Sequence, residues 1–213
     1  MKINKYLILG LAGLSIAIFL LAARWYRNQE TEKLQALTLS KKDLLIRSYS
    51  PSQGPEAAPV TIVEFFDPEC ESCRNMHPIV NRVLNEFGSK VRLVVRYMPF
   101  HRNSVYAASI LESARKQGKY WEALDIVFEK QPEWGSHEAP KPELLIGYLS
   151  TLNLDLNLLK ASLEDPEIKG RIQQDQADGR ELGVKSTPSF FVNEKLITDF
   201  SYDGLRAAIQ SNL

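Results

Sequence analysis

Cysteine is almost missing from this chain: its 213 residues include two, too few for the disulfide framework of a small secreted scaffold. An excess of charge of either sign is missing as well. The 26 basic residues equal the 26 acidic ones, so no global positive field draws nucleic acid to the surface, and none is expected as a partner. Glycine and proline, at 11 each, are too sparse for a collagen-like or low-complexity chain. The apolar fraction of 44% excludes disorder and is enough to bury one sizeable core. The length suits one domain of ordinary size with an appendage rather than two full domains.

What is present is unevenly spread. Residues 1–29 carry Lys2, Lys5, Arg24 and Arg27 and no acid, leaving 22 basic against 26 acidic residues in the remainder. Tyr6 to Ala23 is eighteen residues long with Ser15 as its one clearly polar side chain. As a helix it spans about 27 Å, close to the roughly 30 Å hydrocarbon layer. A cleavable signal peptide usually has an apolar region of about 7–15 residues followed by a small-x-small site. Here leucine stands where a small residue is wanted, for cleavage after either Ala22 or Ala23. Residues 1–25 are therefore expected to be a retained signal anchor, a single transmembrane helix. The alternative is cleavage, which leaves a soluble domain. The flanking charges barely favour a cytoplasmic N-terminus.

Residues 26–57 read as a stalk. Leu34, Leu37, Leu44 and Leu45 fall at helix-like spacing between Glu30 and Ile46, giving a short amphipathic helix that the run from Pro51 to Pro55 breaks. It is either a spacer lying against the domain or a self-association helix supporting a homo-oligomer. A domain is expected over 58–213. Val60–Phe66 reads as a strand buried on both faces, 70–87 as a helix with Pro78 inside it, and Val91–Tyr97 as a parallel partner strand. Residues 103–183 are helical almost throughout, with helices at 104–117, 119–130, 141–152, 155–163 and 166–182. Strands at 189–192 and 195–197, turned at Asn193-Glu194, and a helix at 203–212 close the chain. The order βα-β, a helical insertion, then ββα places the fold in the α/β class with a mixed sheet.

Cys70-Glu-Ser-Cys73 sits where a strand hands over to a helix. Inside a regular helix, residues three apart have Cβ atoms about 5–6 Å apart, whereas a disulfide wants about 3.8 Å. The pair bonds comfortably if Cys70 lies at the loosened start of the helix. There it meets free backbone N–H groups and the positive end of the helix dipole, which favour thiolate. Cys70 is then the nucleophile and Cys73, one turn inward, the resolving thiol. Two alternatives stay open: an inert structural disulfide, and a zinc site using Cys70, Cys73 and His77. The zinc site is short of a fourth ligand, since His101 and His137 are isolated in the sequence.

Glu64 lies in an otherwise apolar strand six residues before Cys70. Burial there would raise its pKa towards neutrality and suit it to take the proton of Cys73; the alternative is a strand-edge carboxylate facing water. Thr187-Pro188 precedes the strand Ser189–Val192, and a cis bond there would turn the chain sharply beside the helix of Cys70.

These residues resemble a known family. Phe65-Phe66 before C-x-x-C, a helix with an internal proline, a helical insertion and Thr-Pro before Phe-Phe-Val-Asn are similar to the DsbA-like branch of the thioredoxin superfamily, over roughly residues 55–213. The resemblance implies a thioredoxin fold and thiol–disulfide exchange on exported proteins. It implies that Cys70 attacks, Cys73 resolves, Glu64 assists proton transfer, and Thr187 with cis-Pro188 forms the substrate-docking edge. Arg96–His101 and Asn103-Ser104 also look like segments of that family, without a chemical role that the residues themselves suggest. The principal oxidases carry Pro-His between the cysteines, where this chain has Glu71-Ser72 with Asp67 and Glu69 nearby. Negative charge there opposes the helix dipole, so the expected potential lies between those of a strong oxidase and thioredoxin.

The expected activity is that of a disulfide-forming oxidase in the bacterial inner membrane, single-pass, with its catalytic domain in the periplasm. Unfolded or partly folded exported proteins with cysteines are its expected substrates, and a quinone-linked membrane protein recharges it. The alternatives are an isomerase or reductase kept reduced by a membrane electron donor, and a chaperone-like module with secondary redox activity. No cofactor and no metal is expected.

Overall fold

The computed structural model describes residues 5–213, with the side chains of residue 9 and of residues 11–213. Val60–Phe66 (β2) and Val91–Tyr97 (β3) pair in parallel, with Val60 opposite Val91 and Phe66 opposite Tyr97. The helix between them, α2 (Glu71–Phe87), runs unbroken with Pro78 inside it. Ser52–Gln53 (β1), in the run read as a helix breaker, pairs antiparallel with β3. On the other side of β2 come β4 (Ser189–Val192) and β5 (Lys195–Ile197), both antiparallel, giving the sheet order β1-β3-β2-β4-β5. The β4–β5 turn holds both Asn193 and Glu194 at positive φ, 43° and 69°, as a tight two-residue hairpin requires.

Both faces of the sheet are covered, which is why β2 and β3 read as continuous apolar runs rather than alternating ones. On one face, Val60, Ile62 and Phe66 join α2 residues Val80 and Val83 and Leu205 and Ile209 of the last helix, α9 (Tyr202–Gln210). The helical insertion extends that core through α3 (Ser104–Lys116), α4 (Tyr120–Glu129), α5 (Gln131–Trp134), α6 (Leu144–Tyr148) and α7 (Leu156–Ser162). On the other face, Val63, Phe65, Val94, Met98 and Phe191 pack beneath α8 (Pro166–Glu181), joined by Leu182 just beyond it. The expected helix over 141–152 is α6 followed by a 3₁₀ segment, Leu149–Leu152, and α5 fills part of the expected break.

Gly179 lets α8 approach this closely. A Cβ there would lie 2.8 Å from Met98 Sδ and 3.2 Å from the Phe65 ring. Helix propensity favours alanine over glycine by about 1 kcal/mol, while overpacking costs about 1–3 kcal/mol. Gly179→Ala is expected to lose about 1 kcal/mol net, read from its urea midpoint; a gain would mean that Met98 gives way.

Arg96 is fully buried on the α8 face of β3. Its Nε donates to Asp175 (2.8 Å), Nη2 to Asp178 (2.5 Å), and Nη1 to the carbonyls of Leu44 (2.6 Å) and Leu45 (2.9 Å). Asp178 also accepts from Arg47 at 2.8 and 2.7 Å. One guanidinium thus ties sheet, α8 and the incoming segment together, a structural role for the Arg96 segment.

The N-terminal region departs from expectation. A single helix, α1 (Lys5–Ser40), replaces an apolar helix and a separate amphipathic one; a 3₁₀ turn, Lys42–Leu44, follows. Its last turns lie against the domain. Gln35 Nε2 donates to the Glu194 carbonyl (3.1 Å) and its Oε1 accepts from Leu196 N–H (3.0 Å), so a side-chain amide closes the β5 edge. Gly183, at φ +78°, sits under Leu34: a Cβ there would be 2.6 Å from its Cδ2. The expected span Tyr6–Ala23 falls in part outside the described side chains. Among the described residues no helix is long and apolar enough to cross a membrane. Leu11, Leu14, Ile16, Ile18 and Phe19 are exposed along α1.

Candidate active site

β2 ends at Phe66, and Asp67-Pro68-Glu69 carries the chain to Cys70, the N-cap of α2 at φ −78°, ψ 122°. Cys70 N–H donates to the Asp67 carbonyl (3.0 Å), and the Cys70 carbonyl accepts the first helical bond from Arg74 N–H (3.1 Å). Its side chain takes the place of the oxygen that normally caps a helix, facing the unpaired N–H groups of the first turn. Both cysteines are free thiols; Cys70 is 8% exposed and Cys73 fully buried.

The two sulfurs are polarised in opposite directions. A hydrogen bond from Cys73 lowers the Cys70 thiol; burial opposes it, and Thr187 and the backbone N–H groups of Cys73 and Ser72 lower it further, to about 5. As a thiol it lies 3.4 Å from the Thr187 carbonyl. Burial raises Cys73 well above the ordinary thiol range, helped by its bond to Cys70 and the field of Glu64, while the Asp67 N–H, 3.5 Å from its sulfur, lowers it. An anionic outer sulfur and a protonated inner one result.

The strand pleat puts Glu64 on the same face as Ile62 and Phe66, the face that packs on α2, with Val95 and Phe190 as its cross-strand neighbours. It is 6% exposed, and burial pushes its carboxyl up to about 8. It is not the water-facing edge residue of the alternative reading. The Thr187–Pro188 bond is cis, and β4 pairs Ser189 with Phe65, so the chain before it runs beside the Asp67–Cys70 turn. Cys70, Cys73, Glu64, Thr187 and Pro188 therefore converge at one end of the central strands. His77 does not join the thiols: its Nε2 lies 2.6 Å from Asp125, and its ring lies tilted against Phe128, centroids 5.0 Å apart. Among the described residues no group of three or more His, Cys, Asp or Glu is arranged to hold a metal ion.

The insertion holds the turn before α2 from several sides. Buried Asp67 accepts from Phe100 N–H (2.7 Å), His101 N–H (3.1 Å) and Glu69 N–H (2.8 Å), and pairs with His101 Nδ1 (2.8 Å). Glu69 accepts from Asn103 N–H (2.6 Å) and its amide (2.7 Å). Gln131 Nε2 donates to the carbonyls of Pro68 (2.9 Å) and Cys70 (3.0 Å). Asp67 and Glu69, read from sequence as charges opposing the thiolate, are thus engaged, Asp67 with the loop after β3 and Glu69 with the start of the insertion, and Glu71 faces solvent near His137. Sequence reasoning missed Gln131, which lies in the expected break with no motif around it; a fully buried amide has no signature in one sequence. A hollow of about 490 Å³ lined by Glu71, Arg74, Gln131, Gly135 and His137 flanks the turn. A larger one, about 620 Å³, lies at the far end of β2 beside Thr61 and Asn193, away from the polarised groups.

Residues 47–211 match the family described as thioredoxin, beginning within the segment read as stalk. The chain is 36% identical over 151 residues to the Na⁺/H⁺ antiporter NhaA of Herminiimonas arsenicoxydans, covering 71% of this chain and 23% of that protein. It spans less than a third of the length of such antiporter relatives. Disulfide bond formation protein D of Bacillus subtilis is 30% identical over 172 residues, covering 76% of this chain and 77% of the relative. The structure of oxidised BdbD from Bacillus subtilis superposes with a TM-score of 0.70 at 27% identity, covering 76% of this chain and 92% of that one. By its family match, its fold and its likeness to a disulfide bond formation protein, the chain belongs to the thioredoxin family, in the branch of DsbA-like thiol-disulfide oxidoreductases.

Proposed function

We propose that this protein forms disulfides in other proteins through the Cys70–Cys73 pair, acting as an oxidase. The observation that carries the reading is the placement of the pair, Cys70 at the N-cap of α2 and Cys73 buried one turn inward, which polarises the two thiols in opposite directions, Cys70 lowered to about 5 and Cys73 raised. In the oxidised protein a substrate thiolate attacks Cys70 Sγ; the Cys70–Cys73 bond breaks, and a Cys70–substrate disulfide forms. A second substrate thiolate then attacks the substrate sulfur of that bond, and Cys70 leaves as a stable thiolate. The substrate is oxidised by two electrons, and the protein ends as a dithiol. Glu64, mostly protonated at pH 7 with its carboxyl near 8, donates to Cys73 as that sulfur leaves. In the return direction it accepts the same proton. Thr187 and Pro188 form the edge on which the substrate chain docks.

Stabilising the thiolate stabilises the reduced protein and makes the disulfide more oxidising. A thiol at about 5 instead of 9.0 favours the dithiol form about hundredfold at pH 7, roughly 60 mV for a two-electron couple. The expected potential lies between about −270 and −120 mV, the thioredoxin and strong-oxidase values. Its pH dependence carries a second signature. Below about pH 5 reduction takes up two protons, and the potential falls by about 59 mV per unit; above it one proton suffices, and the slope halves to about 30 mV. Equilibration with glutathione across pH 4–8 measures both. A potential at or below the thioredoxin value, or no break in slope, would overturn the oxidase reading.

The apolar run Tyr6–Ala23 supports an anchor in the inner membrane, with the domain on the extracytoplasmic side where substrates and a quinone-linked electron acceptor meet it. Leu34 and Leu37 pack towards Gly183 of their own domain, so that seam is engaged within the chain and argues against the stalk as a self-association surface.

A further inference from the structure

The motif Cys70-Glu71-Ser72-Cys73 contains no cation, and the turn before it brings two buried carboxylates, Asp67 and Glu69, close to the nucleophile. Carboxylates so placed disfavour a thiolate unless a positive charge offsets them. Glu69 is hydrogen-bonded by neutral Asn103. Asp67 alone has a titratable partner, His101, at 2.8 Å through Nδ1. The same Asp67 touches both cysteines through its backbone: its carbonyl accepts from Cys70 N–H, and its N–H points to Cys73 Sγ. The pairing fixes the His101 tautomer with its proton on Nδ1 and leaves Nε2 as the free nitrogen, in a ring about one third exposed. On its other side the ring packs 5.8 Å from that of His137, whose Nε2 lies 3.6 Å from Glu71.

We propose that His101, held by Asp67, is a positioning residue that supplies the missing positive charge to the Cys70 thiolate and holds its own proton more tightly when the disulfide is reduced. The inference rests on the reading of Cys70 as the nucleophile. The charged and titratable groups around His101 are Asp67, Glu69, Cys70 and, through its neighbour His137, Glu71. Burial pulls the imidazole down, but the bond to Asp67 and then the fields of Asp67, Cys70 and Glu69 raise it on balance. Coupling is reciprocal: what the thiolate does to the imidazolium, the imidazolium does to the thiolate. Cys73, burial, Thr187 and the α2 backbone weigh most in setting Cys70, so the His101 contribution is the smaller one. In the disulfide, Cys70 carries no charge, and His101 loses that support.

The test uses the full chain and reads protonation rather than turnover. Ultraviolet thiolate absorbance against pH gives the Cys70 titration, and NMR of the imidazole ring gives that of His101. His101→Gln is expected to raise the Cys70 thiol by about half a unit to one unit, and Cys70→Ser to lower His101 by the same amount. Without any substitution, oxidising the wild-type protein is expected to lower His101 by that amount as well. A His101 titration identical in both redox states, with the Cys70–Cys73 disulfide demonstrably formed, overturns this inference and leaves the oxidase reading intact. Failure of the wild-type pair to form a disulfide at all overturns both.

Discussion

Cys73→Ala converts the protein into a trap: incubated with an oxidised cysteine peptide, it accumulates a mixed disulfide on Cys70 that persists on a non-reducing gel. Cys70→Ser forms no adduct. The asymmetry follows from the two environments. With its thiol near 5, Cys70 is about 99% thiolate at pH 7, against about 1% for an unperturbed thiol at 9.0. Cys73, buried and raised, stays protonated and fully inaccessible, so it cannot replace the outer sulfur as the attacking group. Losing the nucleophile is expected to reduce exchange by on the order of 10³-fold or more, since the one thiol left, Cys73, is buried and protonated. Losing the resolving thiol removes the second half-reaction; the first still runs, on a Cys70 thiol that rises once the Cys73 hydrogen bond is gone. Equal adduct formation by both variants, or by neither, would contradict the division of labour between the two sulfurs. A chaperone-like module would behave differently, because its protection of unfolded chains survives Cys70→Ser.

Much of this arrangement is legible in the sequence because local chemistry fixes it. Val60–Phe66 and Val91–Tyr97 are unbroken β-branched and aromatic runs with turn residues at their ends, and the strands occupy those bounds. The cysteine pair directly after the first of them can lie only at the strand-to-helix turn. The convergence of Glu64 and Thr187-Pro188 on it follows once the strands are ordered. What stays hidden depends on tertiary partners. β1 is two residues long and exists through its pairing with β3, so its propensity carries no signal. The α1 break expected near residue 25 is absent because nothing there, neither glycine nor proline, stops a helix. Arg96, with no apolar reason to be inside, is buried because α8 presents Asp175 and Asp178, three residues apart on one face, to meet it. Gln131 belongs to the same class: a neutral amide whose worth depends on two carbonyls more than sixty residues away.

Glu64→Gln is expected to make the protein more stable and slower. In the folded chain burial holds the Glu64 carboxyl near 8, against 4.5 for an ordinary one. Between those pH values the native state keeps a proton that the unfolded chain has released, so the unfolded state binds fewer protons and stability falls as pH rises. At pH 7 that penalty is about 3 kcal/mol relative to pH 4. Glutamine does not titrate and escapes it, less about 1 kcal/mol for burying an amide without partners. Urea unfolding of the dithiol form is therefore expected to show the variant about 2 kcal/mol more stable at pH 7, with the advantage gone at pH 4. The kinetic effect has the opposite sign. Cys73 has to lose a proton when it closes the disulfide and regain it when the disulfide opens, and Glu64 is the titratable side chain whose field reaches it from the sheet. Removing that acid–base group is expected to slow closure of the mixed disulfide by about 10²-fold, while the first attack by Cys70 is unchanged. In the wild type the closure rate rises as pH approaches 8 and Glu64 ionises; in the variant that limb disappears. A purely structural carboxyl would move stability without the pH-dependent limb, and a water-facing one would move neither. Only a buried carboxyl coupled to Cys73 gives a protein that resists urea better at pH 7 and closes its disulfide more slowly.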